Sequence, residues 1–152
     1  MLFLELLDKK HIYPDLQQRD KESVLLFLSE EMDQEYKSEL EGANTFSLVH
    51  ESETRQSMAI GNGIAIPHIK VEGLKSQILF LARSRVGIDF QSIDDKPVHL
   101  IFLLASPSSE PEKHCKTIAG ISKLLHNSSF RDELMKAKDE ETLFSVVQKF
   151  CQ

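Results

Sequence analysis

The run Gly61, Asn62, Gly63, Ile64, Ala65, Ile66, Pro67, His68 is the most chemically specific stretch of the chain. Two glycines beside an asparagine let the backbone turn tightly and expose N–H groups. The spacing then predicts a short strand over Ile64, Ala65 and Ile66 that Pro67 ends, with His68 where the strand ends. Strand ends in α/β sheets are common places for functional groups. An imidazole on a fixed backbone is a competent nucleophile near neutral pH and could take up a phosphoryl group. The alternative reading of the same residues is a tight turn followed by an incidental polar histidine.

Other titratable residues carry weaker signals. His114 falls near the start of a predicted helix, where a lone histidine reads as solvated surface. His50 precedes the approach to the glycine run and is a candidate to lie near it, whereas His11, His99 and His126 show no pattern. Asp89, Asp94 and Asp95 would supply oxygen ligands, but their spacing is not that of a calcium loop and reads as a solvated turn. No metal and no cofactor are expected. Cys115 adjoins His114, but neighbours on a helix point about 100° apart and cannot act as a pair. Cys115 and Cys151 have no metal spacing and suit thiols in a reducing cytosol.

Composition bounds the rest. The chain has 152 residues, 41% hydrophobic and 28% charged, which fits one globular domain over residues 1–152. A net charge of −6 argues against a nucleic-acid surface, which needs clustered Lys and Arg. The longest apolar stretches, such as Ile101 to Ala105, are far shorter than the roughly 18 residues of a membrane span. The apolar start lacks a basic leader and carries Glu5 and Asp8, so it does not read as a signal peptide.

The elements that must hold these residues can be read from periodicity. Val24, Leu25, Phe27 and Leu28 predict an amphipathic helix over Lys21 to Met32, capped by Asp20. Tyr36, Leu40, Phe46 and Val49 give a weaker stripe broken near Gly42. The unbroken apolar runs in Ser76 to Ser84 and Val98 to Ala105 predict strands buried on both faces. Val86 to Asp95 reads as a connection and Ser106 to Pro111 as a loop. His114, Thr117, Ile118, Ile121, Leu124 and Leu125 lie on one helical face. Ser128 or Ser129 is expected to cap a short helix through Met135, and Asp139 a last one through Phe150. Helices, then buried strands, then helices predict an α/β domain with a mixed sheet.

GNGIAIPH resembles the active-site signature of the fructose/mannitol-type EIIA domains of the bacterial phosphoenolpyruvate-dependent sugar phosphotransferase system, above all the nitrogen-regulatory EIIA proteins. Gly87 to Pro107, GIDFQSIDDKPVHLIFLLASP, resembles the family's second stretch, and His114 stands seven residues after Pro107, as the family's second histidine does. The resemblance implies a mixed β-sheet flanked by helices on both sides. It implies that His68 accepts a phosphoryl group from HPr or its nitrogen-branch counterpart and that His114 helps arrange the site. Onward transfer would go to a separate EIIB or to regulated partner proteins. Backbone N–H groups at Gly61, Asn62 and Gly63, with Arg55 and Ser57, are expected to hold the phosphate. Family members generally carry an arginine sixteen residues before the active histidine, where this chain has Ser52. Glu53 keeps the family pattern, Met58 replaces a threonine, and Ile69 followed by Lys70 replaces a glycine after His68. If that segment is helical, Ser52 and Arg55 share a face and Arg55 can stand in for the arginine. A non-catalytic regulatory binding module is the second function class, with a partner face around His68 that includes Met58 and Ile69.

Overall fold

The computed structural model describes residues 2–151. Its frame is a mixed sheet of six strands around two long central ones, β5 (Ile78–Ile88) and β6 (Val98–Pro107), which pair antiparallel. β1 (Ile12–Tyr13) lies parallel to β5 on one side. On the other side β6 takes β3 (Ile64–Ala65) and β4 (His68–Val71), both parallel, and β2 (Ala59–Gly61) closes the edge antiparallel to β3.

The unbroken apolar runs are explained by burial on both faces. Phe80, Ala82, Ile101, Leu103 and Ala105 feed one core. Their neighbours Leu79, Leu81, Leu100, Phe102 and Leu104 feed the other. The first face is covered by α2 (Lys21–Glu35), α3 (Lys37–Leu40) and α4 (Thr45–Arg55). The second is covered by α1 (Leu2–Leu6), α5 (Pro111–Leu125), α6 (Ser128–Lys136) and α7 (Glu140–Phe150). Helices therefore flank the sheet on both sides, as expected.

Several boundaries differ from the sequence reading. Asp20 caps α2, accepting from the Ser23 N–H at 2.9 Å, but the helix runs on to Glu35. Asn127, not Ser128 or Ser129, caps α6, because its side chain already takes the Ser129 N–H at 2.9 Å. β5 continues through residues assigned to a connection and reaches Ile88, with an irregular register after Arg83. Gly87 permits this bulge: its φ is +96°, and a Cβ there would stand 2.8 Å from Pro97 Cβ.

Pro67 interrupts the strand without ending it. Ile64 pairs with Leu100 and His68 with Leu104, so the chain keeps one register along β6 across the break. A prolyl nitrogen has no hydrogen to donate, but the Pro67 carbonyl still accepts from the Leu104 N–H at 3.0 Å. His68 thus opens a strand rather than closing one.

Candidate active site

Asn62 and Gly63 have φ of 57° and 77°. They are the two central residues of a tight hairpin between β2 and β3, the turn that Asn-Gly favours. This hairpin sets the edge on which β3, Pro67 and His68 follow. The loop before β2 is fixed by Glu53, whose side chain is buried. Its two carboxylate oxygens accept the Met58 N–H at 3.1 and 3.2 Å, and Lys21 Nζ pairs with it at 2.8 Å. Met58 in turn accepts the Ile66 N–H on its carbonyl at 3.0 Å and the His68 N–H on its sulfur at 3.2 Å.

The His68 ring is held by its own strand. Nδ1 lies 2.6 Å from the Ile66 carbonyl oxygen. A carbonyl only accepts, so Nδ1 carries the proton and the neutral ring keeps its lone pair on Nε2. Among the described residues Nε2 has no hydrogen-bond partner. The residue is half-buried at an open cleft of about 430 Å³, lined also by Ser52, Arg55, Ser57, Met58, Ile60 and Ile118.

Alternation along β4 sends Ile69 and Val71 into the core under α2 and α4. His68 and Lys70 are therefore on the α5 face. There His114, from the first turns of α5, is buried, with its ring centroid 5.3 Å from that of His68. Burial first, then the neighbouring His68 and Lys70, pull the His114 pKa down to about 4, so the ring is neutral near pH 7. His114 Nδ1 lies 2.6 Å from Ser106 Oγ. Cys115 is exposed while His114 is buried, so the two do not work together.

The structure groups the expected phosphate-binding residues unevenly. Ser52 and Arg55 are both on α4 and both line the cleft, which meets the condition under which Arg55 can stand in for an arginine at Ser52. Arg55 is paired with Glu51 one turn back, and both side chains are exposed. Ser57 lines the cleft, but its hydroxyl donates to the Phe90 carbonyl at 3.1 Å and accepts the Ala59 N–H at 3.3 Å. Gly61, Asn62 and Gly63 are not among the cleft residues. The Asn62 N–H donates to Asp94 Oδ2 at 3.0 Å, and the Gly63 carbonyl accepts from the His99 and Leu100 N–H groups at 2.8 and 3.0 Å. Asp94 thus serves as a clamp for the turn, with its pKa lowered by the Asn62 and Lys96 N–H groups. His50 lines a different cleft, with Lys21, Glu53 and Asp89. Ile69 is buried and so is no part of an exposed partner face, whereas Ile60, 43% exposed, lines the cleft beside Met58.

Two contributors escaped the sequence reading. Lys70 was visible only as a departure from a pattern, although alternation from His68 places it on the same face. Ser106 was assigned to a loop, yet it belongs to β6 and pairs in register with Lys70.

A family model described as phosphoenolpyruvate-dependent sugar phosphotransferase system, EIIA 2, matches residues 5–150. The chain is 28% identical over 149 residues to the fructose-specific EIIABC component of Bacillus subtilis, covering 98% of this chain but 23% of that protein. It is 31% identical over 150 residues to a nitrogen regulatory protein of Bradyrhizobium diazoefficiens, covering 97% of this chain and 95% of that one. The crystal structure of the nitrogen regulatory protein IIA-Ntr from Neisseria meningitidis superposes with a TM-score of 0.88 at 25% identity, covering 97% of this chain and 99% of that one. The resemblance read from GNGIAIPH thus extends along nearly the whole chain, and this protein belongs to the EIIA type 2 family of the phosphoenolpyruvate-dependent sugar phosphotransferase system.

Proposed function

We propose that this protein is a phosphoryl carrier of the nitrogen-regulatory kind, accepting its phosphoryl group on Nε2 of His68 from an HPr-type or nitrogen-branch phosphocarrier. The observation that carries this reading is the His68 ring: Nδ1 bound at 2.6 Å to the Ile66 carbonyl, Nε2 uncommitted, at an open cleft. In the transfer the donor's P–N bond breaks as the bond from phosphorus to His68 Nε2 forms, and the donor ring keeps the electron pair. Positive charge builds on the His68 ring as Nε2 gives up its lone pair. The Nδ1–H bond to the Ile66 carbonyl stabilises that charge without rearrangement. Such transfers depend on positioning and on neutralising the phosphoryl oxygens. Lys70, on the His68 face of β4, supplies one positive charge, and Arg55 a second once it releases Glu51. His114 supplies a neutral partner beside the ring.

The regulatory assignment draws on similarity to nitrogen regulatory proteins over nearly the full length of both chains. Transfer would then report the phosphorylation state of the carrier to a partner protein, and the cleft edge at Ile60 and Met58 would meet both partners. The second reading, a binding module without efficient phosphorylation, is favoured by Ser52 and by the pairing of Arg55 with Glu51.

Incubation with phosphoenolpyruvate, enzyme I and HPr from one source tests the proposal by intact mass. One phosphoryl group, labile in acid and stable in base, is expected on the wild-type chain and none on His68→Ala. An unmodified wild-type chain in the presence of charged HPr and charged nitrogen-branch carrier would leave the binding-module reading.

A further inference from the structure

We infer that Gln77 and Ser106 are positioning residues which, with Thr117, hold His114 in the tautomer protonated on Nε2. The atoms form one buried chain across the seam between sheet and helix. Thr117 Oγ1 lies 3.0 Å from Gln77 Oε1, Gln77 Nε2 lies 3.0 Å from Ser106 Oγ, and Ser106 Oγ lies 2.6 Å from His114 Nδ1. All four residues are buried, Ser106 and Thr117 almost completely. Gln77 precedes β5, Ser106 belongs to β6, and Thr117 and His114 sit one turn apart on α5.

The orientation of the Gln77 amide, nitrogen toward Ser106 and oxygen toward Thr117, gives the chain a direction; the Thr117 hydroxyl also has the Lys113 carbonyl at 3.0 Å. The Gln77 amide nitrogen can only donate, so it occupies one acceptor site of Ser106 Oγ. The single Ser106 hydroxyl proton then points at His114 Nδ1, which must accept. A neutral imidazole that accepts on one nitrogen carries its proton on the other, so Nε2 becomes a donor. The direction matters because turning the Gln77 amide over would reverse every link. Ser106 would then donate to Gln77 Oε1, His114 Nδ1 would donate to Ser106, and Nε2 would present a bare lone pair.

The consequence rests on the phosphocarrier reading: beside a phosphoryl group on His68, an Nε2–H donates to an oxygen, whereas a lone pair repels it. The chain thus prepares a donor in a ring that carries no charge of its own. A neutral donor stabilises the phosphoryl group less permanently than a cation would, which suits a group that must leave again.

Long-range ¹⁵N–¹H correlation spectra at pH 7 read the tautomer without any phosphoryl donor. The wild-type protein is expected to show His114 protonated on Nε2, and a His114 protonated on Nδ1 overturns the inference. Gln77→Glu replaces the amide with an acceptor-only group that takes the protons of both Thr117 and Ser106. His114 must then switch to the Nδ1–H form and lose its Nε2 donor, and His68 phosphorylation should slow about tenfold or more. Thr117→Ser keeps the hydroxyl and should keep both tautomer and rate. An unchanged His114 signal in folded Gln77→Glu also overturns the inference. If the tautomers behave as stated but HPr never labels the wild-type chain, the relay stands and the phosphocarrier reading falls.

Discussion

His68 and His114 lie ring against ring and are held by opposite kinds of structure. The His68 ring is fixed by a carbonyl two residues away on its own segment. The His114 ring is fixed through Ser106, Gln77 and Thr117, links that span 8, 29 and 40 residues of sequence. His68 is half-buried and faces a cleft, whereas His114 is 4% exposed and neutral. In the proposed transfer the nucleophile has to meet its partner, which a short restraint that leaves one edge of the His68 ring open allows. The proposed helper, His114, would have to stay in place through repeated gain and loss of phosphate, which a buried restraint shared among elements allows.

Removing either ring sharpens the contrast. His68→Ala should abolish phosphoryl acceptance while leaving circular dichroism unchanged, because its ring holds only a local contact. Residual labelling of that variant at the wild-type rate would remove His68 from the reaction.

The buried ring should announce itself in stability. Folded His114 binds its proton only near pH 4, whereas the unfolded chain binds it near 6.5. As pH falls the unfolded state is therefore protonated first. The contribution is intact above pH 6.5 and is lost between 6.5 and 4, by about 3 kcal/mol at most. His11, also buried with its pKa lowered by burial, acts in the same direction. Urea unfolding at pH 7.5 and 4.5 should show a smaller loss for His114→Gln than for the wild type. An equal loss would mean that His114 is protonated in the fold.

Kinetically, His114→Ala should slow gain or onward loss of the phosphoryl group by about 10²-fold, the usual cost of one preorganised donor. Stopped-time labelling measures both steps, and wild-type rates for both would reduce His114 to a core residue. The smallest effects belong to the cations. Lys70→Gln and Arg55→Ala should each cost about tenfold in phosphorylation rate, near 1.4 kcal/mol of transition-state stabilisation. Ser52→Arg should add little where Arg55 already serves. If Arg55→Ala is neutral and Ser52→Arg speeds transfer, Arg55 stays committed to Glu51.

The same contrast explains what could be read from the sequence. The two central strands announced themselves through unbroken apolar runs, and GNGIAIPH pointed to His68, because those signals are local. The Asn-Gly pair was legible as a tight turn; that Asp94, 32 residues on, takes the Asn62 N–H was not, because that contact is long-range. The extent of β5 past Ser84 was hidden because its last turn of register is irregular and depends on Gly87 lying against Pro97. Gln77 and Ser106 gave no signal, since polar residues beside apolar strands look like strand ends until the fold brings them to His114. Arg83 was equally silent. It is fully buried, and its guanidinium donates to the Pro14 carbonyl at 2.9 Å and the Leu134 carbonyl at 2.7 Å, tying β5 to the end of α6.

One experiment addresses the proposed nucleophile itself. The chain, labelled with ¹⁵N in its histidines, is phosphorylated through phosphoenolpyruvate, enzyme I and HPr, then examined by ¹⁵N and ³¹P spectroscopy in alkaline buffer. The proposed function predicts a single phosphohistidine at residue 68 with phosphorus on Nε2, the nitrogen that does not face the Ile66 carbonyl. Phosphorus on Nδ1 of His68, or on His114, would contradict it.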